Sequence, residues 1–121
     1  MVRELTPDEV EFTVTAEPED VSPRGNAMAS GDDELDRKVE DEILERLDNG
    51  DVWAWAHVVV TAEWNGFAGT AGLGGCCYED EWDFRENSMY FADLCEEALD
   101  DLNTVVADHA RRLQPLEVTS R

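Results

Sequence analysis

Thirty Asp and Glu carboxyl groups, three cysteines and two histidines are the groups in this 121-residue chain whose types could do chemistry. Adjacent carboxylates such as Glu96-Glu97 have the composition of an acid–base or metal site. Acid–base work by two carboxylates needs surroundings that drive their pKa values apart, and no pair stands out from the many others. Asp32-Asp33-Glu34-Leu35-Asp36 lacks the alternating ligands and the sixth-position glycine of a calcium loop. His57 and His109, with Cys76, Cys77 and Cys95, show neither CxxC nor HxxxH spacing for zinc. No Ser or Cys sits in an activating motif for nucleophilic catalysis. The glycines from Gly66 to Gly75 make no phosphate-binding fingerprint. The expectation is a chain with no catalytic residues, no metal and no cofactor, in which the odd number of cysteines are reduced thiols.

The carboxylates matter instead as a field. Against 9 Lys and Arg they leave a formal charge of −21, where solubility alone asks for roughly 2 to 8 units in a small domain. Such a charge repels itself and costs stability in the compact state. Two explanations fit. One is salt adaptation, favoured by bases that are all Arg except Lys38. The other is a surface read as a polyanion by a protein that normally grips nucleic acid. Direct contact with nucleic acid or anionic lipid is disfavoured, because both would repel the chain. No run approaches the roughly 18 apolar residues of a membrane span, and the amino end has no signal-peptide pattern. The expected location is the cytoplasm.

The elements that must position these acids follow from periodicity. Residues 1–8 read as a flexible leader, 9–115 as a single acidic α+β domain and 116–121 as a flexible tail. Val10, Phe12, Val14 and Ala16 alternate with Glu9, Glu11, Thr13, Thr15 and Glu17, which predicts a half-buried strand. Ser30 or Asp32 can cap a helix with the stripe Leu35, Val39, Ile43, Leu44 and Leu47, stopped at Asn49-Gly50. Asp51 to Trp64 reads as one strand, with Trp53, Trp55 and His57 on the face opposite Ala54, Ala56 and Val58. Asn65-Gly66 is a two-residue hairpin signal, and the partner strand runs from Phe67 to Tyr78. Residues 79–84 read as a loop or short helical turn. A long helix from about Met89 to Leu113 carries Phe91, Leu94, Cys95, Ala98, Leu102, Val105, Val106 and Leu113 and ends before Pro115. The order β-α-β-β-α predicts a two-layer α+β fold: a three-stranded, mainly antiparallel sheet with two helices on one face.

On that frame the acids form ridges. Asp33, Asp36, Glu40, Asp41 and Glu45 lie on the first helix, Glu79, Asp80 and Glu81 in the following connection, and Asp93, Glu96, Glu97, Asp100 and Asp101 on the last helix. The last group recurs once per turn, a spacing of about 5.4 Å along the axis, against about 3.4 Å between charges on each strand of DNA. Those thirteen residues are the expected contacts for an Arg/Lys groove. Trp53 and Trp55 are expected to serve as core or as a homodimer contact.

Two stretches together carry a resemblance: Arg24-Gly25-Asn26-Ala27 through Ser30-Gly31-Asp32, and Trp53-Ala54-Trp55-Ala56 followed by Leu73-Gly74-Gly75-Cys76-Cys77-Tyr78, Glu81 and Asp83-Phe84. The combination resembles small acidic proteins carried on phages, prophages and plasmids, over about residues 20–102. Cys77 stands where a small hydroxyl residue is expected. The resemblance implies a mobile-element origin, where small acidic proteins serve as anti-CRISPR or anti-restriction nucleic-acid mimics. The partner it implies is a CRISPR effector or a restriction enzyme in the host cytoplasm.

Overall fold

The computed structural model describes residues 3–119, with side chains described as far as residue 112. The fold is α+β, with an antiparallel three-stranded sheet in the order β1-β2-β3. The strands are β1 (Glu11–Pro18), β2 (Ala56–Trp64) and β3 (Phe67–Cys76), and the helices α1 (Asp33–Asp48), α2 (Glu81–Asn87) and α3 (Phe91–Thr119). Three helices thus stand where two were expected: residues 81–87 close a helix of their own, capped by Asp80.

Local chemistry accounts for most boundaries. The Asp32 carboxylate accepts from the Glu34 and Leu35 N–H groups and starts α1, satisfying donors that have no partner inside the helix. Asn65 and Gly66 have φ values of 48° and 83°. Positive φ at both central residues is the type I′ turn that matches strand twist, so β2 and β3 form the expected hairpin.

Two expectations of the sequence are corrected. The run from Asp51 is not one strand: Asp51 accepts from the Trp53 N–H and caps a single 3-10 turn over Val52–Ala54, and β2 begins at Ala56. A short acidic side chain offering a local bond competes with the strand ladder. Trp53 and Trp55 therefore do not share a strand face. The last helix also continues through Pro115 to Thr119, although a proline there removes one ladder bond and costs about 3 kcal/mol. Within that helix Val105 is on the surface and Leu99 takes a place in the core. Leu113 lies outside the described side chains.

Contacts divide the chain into two units. One comprises Met1–Thr13, Val60–Ala71 and Tyr90–Arg121. Its buried side chains include Leu5, Val60, Ala62, Leu94, Ala98, Leu99, Leu102 and Val106. Gly69 of β3 meets α3 here, and a Cβ added to it would stand 2.2 Å from the Leu102 backbone N. The leader is tied into this unit. Leu5 is buried, its N–H donates to Asn103 Oδ1 at 2.7 Å, and its carbonyl accepts from Asn103 Nδ2 at 3.3 Å.

Beside it, Glu9 accepts from the Arg3 guanidinium and from the Thr6 backbone N–H and hydroxyl. The Arg3 bond is the largest of the effects that hold the Glu9 carboxyl down to about 2, from an ordinary 4.5. A carboxyl depressed in the folded state contributes stability above its unfolded pKa and loses it as pH falls through the folded value. The Arg3–Glu9 contact is therefore expected to persist from neutral pH to about 2, and Arg3→Ala to raise the titration. A carbon-detected NMR titration of the Glu9 carboxyl checks both; a wild-type midpoint near 4.5 refutes the contact.

The other unit comprises Val14–Val59 and Gly72–Met89. Ile43, Ala54 and Trp55 form its buried cluster, with Ala27, Val39 and Leu47 against them. Phe84 is fully buried, its ring 6.0 Å from Trp53 and 5.0 Å edge-on to Tyr78. Trp55 is 5% exposed and donates its indole N–H to the Val21 carbonyl at 2.6 Å, so it belongs to this core. Trp53 is half-buried against Phe84.

Candidate functional site

The thirteen acids expected to face a partner divide sharply once placed. On α1, Asp33 and Glu45 are exposed. Asp36 turns back and accepts from the Ser30 N–H and hydroxyl. Glu40 is 7% exposed; one oxygen takes Arg24 Nη1 at 3.1 Å and the other the Gly25 N–H at 3.0 Å. Asp41 binds the second Arg24 nitrogen. Three of the five are thus occupied in fastening the 22–30 loop to the helix. Glu40 is a buried, hydrogen-bonded charge whose loss would leave its partner unsatisfied, so it is a poor candidate for an outside ligand; Asp36 and Asp41 are more open but already hold loop partners. Glu34, Glu42 and Asp48 are exposed acids on the same helix that the sequence reading left out of the site. Arg37 and Lys38 are exposed among them, so the outer side of α1 carries both signs.

The acids around α2 are also largely engaged. Asp80 accepts from the Asp83 N–H at 2.8 Å as the helix cap. Glu81 holds Arg85 at 2.8 Å, one turn on. Asp83 accepts from the Glu79 N–H and from Asn87, which together keep its carboxyl below the ordinary carboxylate range. Glu79 is exposed.

On α3 the exposed acids form a continuous row with no basic residue among them. Asp93, Glu96, Glu97 and Asp100 are exposed, spaced at i, i+3, i+4 and i+7, which is one side of a helix. Leu94, Ala98, Leu102 and Val106 are buried, so the row runs along the side turned from the core. It spans two turns, about 10 Å. Between Arg85 and Arg111 the sequence contains no Lys or Arg. Arg111 and Arg112 both bind Asp108; the Arg111 bond is the leading reason the Asp108 carboxyl lies below its ordinary range. Like charges three and four residues apart repel by a few tenths of a kcal/mol per pair, and along the row no cation offsets this. Asp101, the fifth acid named on this helix, accepts from the Thr70 N–H at 2.8 Å and anchors β3.

The other reactive side chains have ordinary roles. Among the described residues Cys76, Cys77 and Cys95 form no disulfide. Cys76 is buried and donates to the Leu73 carbonyl, and burial is the main cause raising its pKa. His109 packs on Phe67 with ring centroids 5.0 Å apart. His57 lies against the β3 glycines: a Cβ on Gly72 would meet its Nε2 at 2.7 Å. Among the described residues no group of His, Cys, Asp and Glu is arranged to hold a metal ion, and no helix is long and apolar enough to cross a membrane. No family model matches the chain, and neither a curated protein nor a solved structure does so.

Proposed function

We propose that this chain is a non-enzymatic polyanionic decoy, a stoichiometric inhibitor that fills the basic groove of a DNA- or RNA-binding defence protein of CRISPR or restriction type. The observation that carries it is the α3 row: Asp93, Glu96, Glu97 and Asp100, exposed side by side. A groove built from Arg and Lys to hold phosphates attracts such a row and releases condensed counterions on docking. The same field steers encounter, so association is fast at low salt and weakens as screening tightens below the roughly 8 Å length of physiological salt. The mobile-element resemblance supplies the class of partner and the host cytoplasm as the place of action.

The test is capture from cells that carry CRISPR and restriction systems, with wild-type protein beside an Asp93→Asn/Glu96→Gln/Glu97→Gln/Asp100→Asn variant. The wild type is expected to retain a nucleic-acid-binding protein that competing duplex DNA or added salt displaces. At about 0.7 kcal/mol per exposed charged contact, the fourfold variant loses about a hundredfold in affinity. Capture that is unchanged by the variant and by salt ends the reading.

A second reading is salt adaptation, favoured by a specific observation: exposed acids also lie on other elements, Glu11 and Glu17 on β1, Glu63 on β2 and Glu86 on α2. A thermal melt over a range of salt separates the two. A decoy is folded in dilute buffer; a salt-adapted chain folds only when concentrated salt screens its repulsion.

A further inference from the structure

We infer that Trp82 anchors a docking surface whose occupant is an arginine-bearing segment of a basic protein; the inference rests on the decoy reading and names a contact for it outside α3. The four tryptophans have unequal fates. Trp55 is in the core, Trp53 packs on Phe84 and Trp64 stacks on Phe67 at 6.3 Å. Trp82, on α2, is 67% exposed. An exposed indole is the side chain most able to supply a binding hot spot.

The surroundings of the ring select its occupant. The Arg85 guanidinium carbon lies 5.9 Å from the Trp82 ring centroid, and Glu81 holds Arg85 there. The indole is therefore already in a geometry that accepts a guanidinium, through the attraction of a cation to the ring quadrupole. Most of the residue remains open with Arg85 in place. Glu86 is exposed one turn on along α2, and Glu79 and Asp80 are exposed just ahead of the helix, so the segment that carries the ring is acidic and favours an approaching cation. An anionic ligand is repelled by the same groups, and a second copy of the chain would bring acids against acids. Arginine suits the ring better than lysine, because its planar guanidinium stacks while its outer N–H groups reach carboxylates.

The probe is a nonaarginine peptide, with nonalysine as comparison, titrated into isotope-labelled protein and followed at the Trp82 indole N–H. Nonaarginine is expected to shift that resonance saturably and to bind more tightly than nonalysine. Trp82→Ala is expected to weaken nonaarginine about tenfold, with Trp82→Phe retaining most of the affinity. The exposed position leaves the melting temperature of both variants near wild type, which shows that folding is not what changed. Trp82→Ala binding within twofold of wild type overturns the inference. If the α3 fourfold variant still weakens binding in that case, the decoy reading stands without it. The reverse pattern, loss in Trp82→Ala alone, keeps this contact and removes the α3 row. Self-association of the wild type that disappears in Trp82→Ala assigns the surface to a second copy and also overturns it.

Discussion

Gly69→Ala is expected to be the most damaging small substitution in the chain. A methyl group at Gly69 would stand 2.2 Å from the Leu102 backbone N, 2.5 Å from the Ala98 carbonyl oxygen and 2.7 Å from the Leu102 Cα. All three atoms are main chain, so no rotamer change relieves the overlap. The helix would have to move off the strand, lifting Ala98 and Leu102, both at 0% exposure, out of contact. Overpacking against a rigid backbone lies at the top of the usual range, so the expected loss is about 3 kcal/mol or more. In a domain of this size that lowers the melting temperature by about 10 °C or more. Gly72→Ala is the control. Its nearest obstacle is the His57 imidazole at 2.7 Å, a side chain that can swing aside, and the expected change is under about 1 kcal/mol. Paired thermal melts decide. Equal, small shifts would mean that α3 does not pack on β3 as closely as described.

Phe84→Ala is expected to cost about 3–5 kcal/mol, the range for truncating a fully buried aromatic ring. Phe84 has no exposed surface and sits between Trp53 and Tyr78. Tyr78 also donates its N–H to the Trp53 carbonyl at 3.0 Å, so the three rings join the 3-10 turn before β2 to the segment after β3. Emptying the centre leaves a cavity that its neighbours fill only in part. Phe84→Leu, which keeps most of the volume, is expected to cost about 1–2 kcal/mol, including the lost edge-to-ring contact. Chemical denaturation gives the energies. Hydrogen exchange at the α2 amides should show early loss of protection, and an unchanged α2 would refute the role given to this ring.

How far the sequence foretold this molecule depended on whether a feature is local. The Asp32 cap and the Asn65-Gly66 turn are set by residues within four positions of one another, and both are where periodicity and turn chemistry put them. The 3-10 turn at Val52–Ala54 is local too, set by the Asp51 side chain, but the alternation of Trp53 and Trp55 carries a strand pattern that hides it. Glu40 depended on distance. It lies between Val39 and Ile43 on the stripe side of α1, and an acid at a core position is itself a signal that a cation comes from elsewhere. That cation is Arg24, sixteen positions earlier, which no helical spacing identifies. The candidate site divides in the same way. The α3 row was legible because i, i+3, i+4, i+7 spacing opposite an apolar stripe fixes it. Asp36, Asp41, Glu81 and Asp101 have internal partners that the helical spacing does not reveal, because loops, a neighbouring turn and packing set them. Gly69 gave no warning in a segment already crowded with glycine.

The two hydrogen bonds between Leu5 and Asn103 have a practical outcome for anyone immobilising this protein. Asn103 lies one helical turn beyond Asp100, and Arg3 and Glu4 line a shallow cleft with both. An affinity tag fused ahead of Arg3 would therefore emerge next to the carboxylate row, and a polyhistidine tag would bring imidazoles and chelated nickel to it. Capture and titration are best done with the handle placed elsewhere or cleaved off.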